Sequence, residues 1–546
     1  MGENDIDVTA QEMVYSFPTP EHPYYHLKAS FAIGTFKEYK VERVLVNGKR
    51  VRDFAVYNNG RLARRKMIQG QGKSTLVARA DWENGSPNRL EVKAVATDEE
   101  GELHLVGTAS APTYGGYWDP AWQYYASAVL TESAGLKRSR EPVHLTLGLY
   151  ADRLTDPLNE IRVVTVDPET GRHTEVPSQV YEVSAWSERA DIHCQPTTTC
   201  KVAFFADVPA RSSSLYLVFY GNPAAERPTY ASDLRVEGEG LGLNVENSYY
   251  RATLHAKSGA LDEFFLKMGV NEKFDHHLET NGALHWNPGV YAPPRTWIHA
   301  SDWDPPPGYA KEEGPIFFMT KRWGALPHYP EVEVSITYVF YAYSPYVMVT
   351  TVTDVLEEMT VQALRNGEIV LNHNVVREFA WKKLTGEVES LVYKQRPRHP
   401  TRALEMPSST PWLALYNRDC KAAFGAINLE QSNMRRGGGL VCLEQPYMYL
   451  NWGPWVYWCR ALVYTFMGNN PQRMVSVPGG STYYEKMALM PFRLGEGDED
   501  RFDFIEKYHQ ILSNPLHVKV EMDTDERVPE EWTPPILVEE FEEMED

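Results

Sequence analysis

Cysteine is scarce in this 546-residue chain, and long apolar runs are missing altogether. Five cysteines do not make a disulfide framework at this length, and without about 18 uninterrupted apolar residues no segment reads as a membrane-spanning helix. Positive charge is in deficit too: 54 Lys and Arg face 74 Asp and Glu, and a net charge of −20 repels nucleic-acid phosphates and anionic lipid. Neither nucleic acid nor membrane is therefore the expected partner. Much of that deficit is local. The last 26 residues, Glu521 to Asp546, hold twelve acids against one base, Arg527, and so carry −11 of the −20. The remainder is mildly acidic and leaves room for a basic cleft that takes a uronate or a sulfated sugar.

Several chemical signatures are missing as well. "RRGGGL" lacks the Lys-Ser/Thr ending of a phosphate-cradling loop, and there is no Gly-x-Ser-x-Gly nucleophile elbow. The opening "MGENDIDVTAQEM" has neither the basic start nor the apolar run of a signal peptide, and Ile6 stands where a myristoylation signal needs Ser or Thr. As it stands the chain reads as soluble and cytoplasmic, and a leader trimmed from ahead of residue 1 would make it secreted. "HCQPTTTC" offers a small Cys194–Cys200 loop, or His193 with both thiols for zinc, but no second ligand pair accompanies it. Cys420, Cys442 and Cys459 sit in apolar surroundings and read as buried thiols.

What is present is strand pattern. Apolar and polar residues alternate over five to eight positions between Gly, Pro, Asn and Asp breaks, and helical periodicity is rare. The expected class is all-β, mainly antiparallel, built as several β-sandwiches because single cores stop growing near roughly 250–300 residues. Asn47-Gly48 lies between two alternating runs and predicts a hairpin. The domains expected are a small sandwich at 11–112, a β-rich barrel or sandwich at 113–236, one large block at 237–495, and a helix with an acidic tail at 496–546. "DEDRFDFIEKYHQILSN" is the clear helix, with acids in its first turn and Asn514-Pro515 as its stop.

Three regions resemble known carbohydrate-active architecture. "GSPNRLEVKAVA" resembles a late strand of the jelly-roll accessory domains of glycoside hydrolases. "REPVHLTLGLYADRLTDPLNEIRVVTVDPETGRHTEVPSQVY" looks like the N-terminal barrel of exo-rhamnogalacturonan-lyase-like proteins. "LGLNVENSYYRATLHAKSGALDEFFLK" is similar to the opening of galactose-mutarotase-like supersandwich domains, and "VPGGSTYYEKMALMPF" to a late strand of the same domain. The resemblance implies a supersandwich over 237–495 as the catalytic body. The helical toroid that many such lyases carry is absent, so a site would lie on the sheets and their loops.

The candidate site is read from the residues themselves. "HWNPGVYAPPRTWIHASDW", residues 285 to 303, gathers polar and aromatic side chains on turn-rich chain, where a rigid scaffold positions function. Elimination at a uronate needs a base, a cation or donor facing the developing enolate, and an acid. His285 or His299, Arg295 with Asn287, and Tyr291 supply those types, and His373 in "RNGEIVLNHNVVREFAW" is a further catalytic candidate. Substrate contacts are expected from Trp286, Trp297, Trp303, Arg377 and Glu378, and from Trp452, Trp455, Tyr457 and Arg460 in "YMYLNWGPWVYWCRALVY", since guanidinium forks match carboxylates and indoles stack. The alternative in each case is packing alone.

The leading expectation is thus a polysaccharide lyase acting on a uronate-containing polysaccharide or oligosaccharide. Glycoside hydrolysis is the alternative, with a carboxyl pair drawn from Asp302, Asp304, Glu378 and Glu279, and a non-catalytic carbohydrate-binding protein is the third reading. No cofactor is required by the sequence. Asp275, His276, His277, His285 and His299 keep a divalent metal open, although no His-x-His or His-x3-His spacing places two on one face.

Overall fold

The computed structural model describes residues 4–5, 7–12, 25–52, 54–59, 61–80, 87–97, 101–110, 118–119, 121–167, 172–186, 196–275, 284–285, 288–372, 374–392, 404–407, 409–434, 446–450, 455–465 and 472–521. Among the described residues strand accounts for 61% and helix for 5%, so the protein is all-β. It divides into two compact units, one formed by residues 1–228 with 516–546 and the other by residues 229–515.

Among the described residues the first unit holds three separate hydrophobic clusters, one in its opening part and two about the sheet of its second part. In its opening part a six-stranded and a five-stranded sheet enclose Val44, Val46, Val56, Leu76, Leu90 and Val92, all at or near zero exposure. Asn47 and Gly48 both adopt positive φ, as the hairpin between Glu38–Val46 and Lys49–Val51 requires. In the second part a five-stranded sheet faces the three strands Arg138–Tyr150, Thr197–Val208 and Ser178–Trp186. Alternation in "VHLTLGL" turns Val143, Leu145, Leu147 and Leu149 inward, where they meet Val202 and Phe204. The strand His517–Glu521 pairs with Tyr124–Thr131, so the segment after the C-terminal helix returns to this unit. Cys200 is a buried free thiol, pushed up to about 11 by burial; Cys194 and His193 lie outside the described residues, as does Cys442.

The second unit has the form of the expected supersandwich. Nine strands make one sheet, in spatial order Gly308–Glu313, Phe317–Leu326, Tyr329–Tyr341, Val347–Val355, Ser481–Arg493, Ala422–Met434, Trp412–Asn417, Glu378–Lys382 and Val388–Val392. Facing it are a five-stranded sheet (Arg235–Glu239 through Glu272–Asp275) and a six-stranded one, ordered Ile298–His299, Gly289–Tyr291, Ala363–Asn372, Trp455–Tyr464, Pro446–Leu450 and Leu404–Glu405. Among the described residues His285 joins the seam between these two, bridging to Leu261 on one side and to Ile369 on the other. The core between the layers takes alternate residues, such as Val332, Val334, Ile336, Tyr338 and Phe340 from one strand.

The helix Asp503–Ser513 lies on the nine-stranded sheet through Ile505, which has no exposure. Gly425 makes the approach possible, because a Cβ there would strike the Ile505 side chain. Glu506 anchors the helix further, accepting from Lys382 at 2.5 Å and from the Trp412 indole at 2.8 Å. A second, four-residue helix at Pro157–Glu160, capped by Asp156, adds to the one expected from sequence.

Candidate functional site

The strand "ALRNGEIVLN", Ala363–Asn372, is buried along nearly its whole length, yet four successive polar or small residues interrupt its apolar run. Its register against Trp455–Tyr464 shifts between Leu364 and Arg365 and again between Arg365 and Gly367. Such bulges re-aim side chains. Leu364, Ile369 and Leu371 point into the core. Gly367 faces the same way, since a Cβ on it would meet Glu485 of the nine-stranded sheet. Asn366 also points inward, accepting from Thr353 at 2.9 Å and donating toward Glu485. Arg365 and Glu368 are delivered to the opposite face as an ion pair, with 2% and 0% of the side chains exposed.

His299 joins that pair from the neighbouring strand. It stands opposite Gly289, which in turn stands opposite Arg365, so the three share one face, while Val290, Leu364 and Ile298 fill the other. The Arg365 guanidinium donates to His299 Nε2 at 2.6 Å, and the Trp297 indole donates to the same nitrogen at 2.5 Å. Neither partner can accept, so Nε2 carries the lone pair and the ring proton sits on Nδ1, 3.5 Å from Asp302 Oδ2. Burial, reinforced by the Arg365 charge and opposed by Asp302, holds the imidazole down at about 4, so it is neutral at pH 7. The result is a chain of groups running Asp302, His299, Arg365, Glu368.

Aromatic rings wall this chain. Trp297 stacks on Tyr291 at 5.2 Å and 14°, and the guanidinium lies 4.6 Å from the Trp297 ring and 5.7 Å from that of Tyr464. Cys459, opposite Glu368, lies against Arg365, and burial pushes its thiol well above the usual range. Gly289 is required by close approach. A Cβ there would run into the His299 ring. Gly289→Ala should therefore cost about 1–3 kcal/mol by overpacking, whereas Gly148→Ala, whose nearest neighbour would be 3.8 Å away, should be close to neutral. Chemical denaturation of the two variants checks this, and equal midpoints would refute the close contact.

Of the residues expected from sequence, His299, Tyr291 and Trp297 come together in this cluster. His285 does not. It faces the core with 1% exposure, its Nδ1 2.9 Å from the Tyr338 hydroxyl. That hydroxyl receives the buried Arg322 guanidinium at 3.0 Å, so its own proton goes to His285. Burial, followed by the Arg322 charge, lowers His285 to about 3. Arg295 turns elsewhere, pairing with Glu331 at 2.5 Å over the Tyr329 ring. Trp303 is a core residue donating to the Ala325 carbonyl at 3.0 Å.

Arg377 and Glu378 belong to the nine-stranded sheet side, paired with Asp419 at 2.9 Å and Arg418 at 2.7 Å. Arg460 points into the core, bound to Glu485 and, at 2.7 Å, to Gln431. Tyr457 is buried opposite Val370. The strand that carries Arg365 ends at Asn372, whose side chain accepts from the Asn374 N–H. His373, Asn287, Trp286 and Trp452 lie outside the described residues, as do His276, His277, Glu279 and the Trp455 side chain. Among the described residues no group of three His, Cys, Asp or Glu could hold a metal ion, and no helix is long and apolar enough to cross a membrane. Arg365, Asn366 and Glu368 stand in the same polar stretch as His373, "RNGEIVLNHNVVREFAW", but of that stretch only His373, Arg377 and Glu378 were expected at the site. The signal was present in the polar Arg-Asn-Gly-Glu interruption of an otherwise buried strand.

No family model and no curated protein matches the sequence. Among solved structures, the chain is similar to a glycosyl hydrolase family 38 protein from Enterococcus faecalis, at 12% identity over 74% of this chain and 48% of that one, with a TM-score of 0.44. An alpha-mannosidase from Enterococcus faecalis V583 gives 12% identity, 74% and 46% coverage and 0.45. A galactose mutarotase related enzyme from Lactobacillus acidophilus gives 8% identity, 46% and 96% coverage and 0.28. The chain spans less than half the length of the first two.

Proposed function

We propose that the face carrying Asp302, His299, Arg365 and Glu368 is the active site of a carbohydrate-active enzyme, and that its reaction is glycoside hydrolysis. The observation that carries this is the pairing of two carboxylates, Asp302 and Glu368, through a neutral histidine and a guanidinium, beside a stacked Tyr291–Trp297 wall. Hydrolysis of a glycosidic bond uses two carboxyl groups, one as acid and one as base or nucleophile. Arg365 holds Glu368 in one orientation, and flat aromatic faces suit sugar rings.

Elimination at a uronate fits this arrangement less well. It needs a cation turned to the substrate carboxylate, and Arg365 is committed to Glu368 and His299. The histidine lone pair that would take the proton already receives two N–H groups. Glu368 is fully covered, so turnover requires this face to open to substrate.

The test is a screen of neutral and uronate-containing polysaccharides and oligosaccharides, following reducing ends together with the ultraviolet absorbance of unsaturated uronates. Reducing ends should appear without absorbance, and Glu368→Gln, assayed at a temperature where circular dichroism shows it folded, should lower turnover by about 10²–10⁴-fold. Absorbance rising with reducing ends would restore the lyase reading. Sugar binding without turnover would make the protein a binding module.

A further inference from the structure

The face of the nine-stranded sheet that points away from the core carries a row of side chains crossing the strands. Trp323, Ser335, Val352, Tyr484 and Ser432 oppose one another in register across five neighbouring strands. Gly308 on the edge strand stands opposite Trp323, and a Cβ there would run into the indole. The glycine thus lets the ring lie down on the edge strand, while 40% of the tryptophan stays exposed.

Between the two aromatic rings stand Ser335 and Val352, both short, so the surface there is low. Neighbouring strands are about 4.8 Å apart, which puts the rings about 14 Å from each other, the length of a few pyranose rings.

The flanking rows are polar without favouring one sign. Thr337 and Thr350 lie on one side, next to Lys486, which is paired with Glu430 at 2.9 Å. On the other side are Glu333 and Asp354, the latter accepting from Thr482 at 2.6 Å. A nucleic acid would demand a basic face, and a protein partner a broader apolar centre. An exposed indole with the Lys321 ammonium 5.7 Å from its ring centre, and a half-buried Tyr484 beside Glu430, set amid hydroxyls and carboxylates, suit an uncharged polyhydroxylated chain, whose C–H faces stack while its hydroxyls bond at the rim.

We propose that this face is a glycan-binding platform that seats an extended, uncharged oligosaccharide across the strands, with ring faces on Trp323 and Tyr484. The platform does not depend on the reaction assigned above, since neither residue belongs to the Asp302–Glu368 cluster.

The experiment is affinity electrophoresis of the full chain through gels containing hydroxyethyl cellulose, galactomannan or xylan, with polygalacturonate as the charged comparison. It is run on the wild type and, to exclude turnover, on Glu368→Gln. At least one neutral polymer should retard both proteins equally. Trp323→Ala should weaken retention at least tenfold, Tyr484→Ala should weaken it less, and Trp323→Phe should keep most of it. Ser335→Arg, which raises a long side chain in the middle of the row, beside the indole, and leaves Trp323 itself in the sequence, should abolish retention while leaving the melting temperature in place. Turnover of a short soluble substrate should be unaffected by Trp323→Ala.

The platform is refuted if no neutral polymer retards the wild type, if polygalacturonate alone does, or if Trp323→Ala and Ser335→Arg migrate like the wild type. Trp323-dependent retention in a protein that never turns over a glycan would sink the hydrolase reading and leave the platform standing.

Discussion

Arg365→Met should destabilise the second unit by about 3–5 kcal/mol, because the substitution strands the Glu368 carboxylate in a place with no water to solvate it. The guanidinium also donates to His299, so the imidazole Nε2 loses one of its two donors in the same step. Removing both charges is a different matter. In Arg365→Met/Glu368→Leu no uncompensated charge is left, and most of the loss should be recovered. Denaturant titration of wild type, both single variants and the double variant, followed by tryptophan fluorescence, gives the cycle directly. A double variant as unstable as Arg365→Met would show that volume, not charge, controls the site. A cost under about 1 kcal/mol for the single variant would mean that the pair is solvated.

Acidification gives the second large effect. His285 and His299 both have folded values depressed from 6.5, to about 3 and about 4, and both chiefly by burial. Below pH 6.5 the unfolded chain binds protons at these rings that the folded chain refuses, so their contribution to stability is present above 6.5 and is lost as pH falls toward 4 and then 3. Each ring should cost up to about 2 kcal/mol between pH 6.5 and 5. Glu485, raised by burial against the pull of Arg460, acts in the opposite sense and moderates the fall. Melts of wild type, His285→Gln and His299→Gln at pH 7 and 5 separate the contributions: each variant should be less stable at pH 7 yet show a shallower pH slope. Identical slopes in all three would remove the histidines as the cause.

Much of the fold was legible in the residues because it rests on local chemistry. Asn47-Gly48 specified a two-residue hairpin, alternation in "VEVSITYVF" specified which side chains point inward, and acids followed by spaced apolar residues specified the helix Asp503–Ser513. The candidate site was half legible. Its loop was found, but the two histidines assigned to it stand on opposite faces of one sheet, and the face depends on register, which a one-residue shift reverses.

The bulges around Arg365 made that shift where the sequence shows only four polar or small letters. Arg460 was expected to reach substrate, yet it finds Glu485 on the facing sheet, a partner 25 residues further on that only sheet-to-sheet packing brings near. Trp303 and Arg295 were drawn away by partners of the same kind, a backbone carbonyl and Glu331.

The return of His517–Glu521 to the first unit bears on how the protein comes off the ribosome. Its Val518 and Val520 pack against the core that Val143, Leu145 and Val202 begin, and the strand completes one edge of the sheet beside Tyr124–Thr131. Residues 229–515 must be synthesised between the two halves of that sheet. At roughly 5–20 residues per second, the first unit therefore waits many seconds with an unfinished edge while the second emerges whole. Translation makes the inserted unit complete before its host, and a nascent chain stalled ahead of residue 516 would present the Tyr124–Thr131 edge to chaperones.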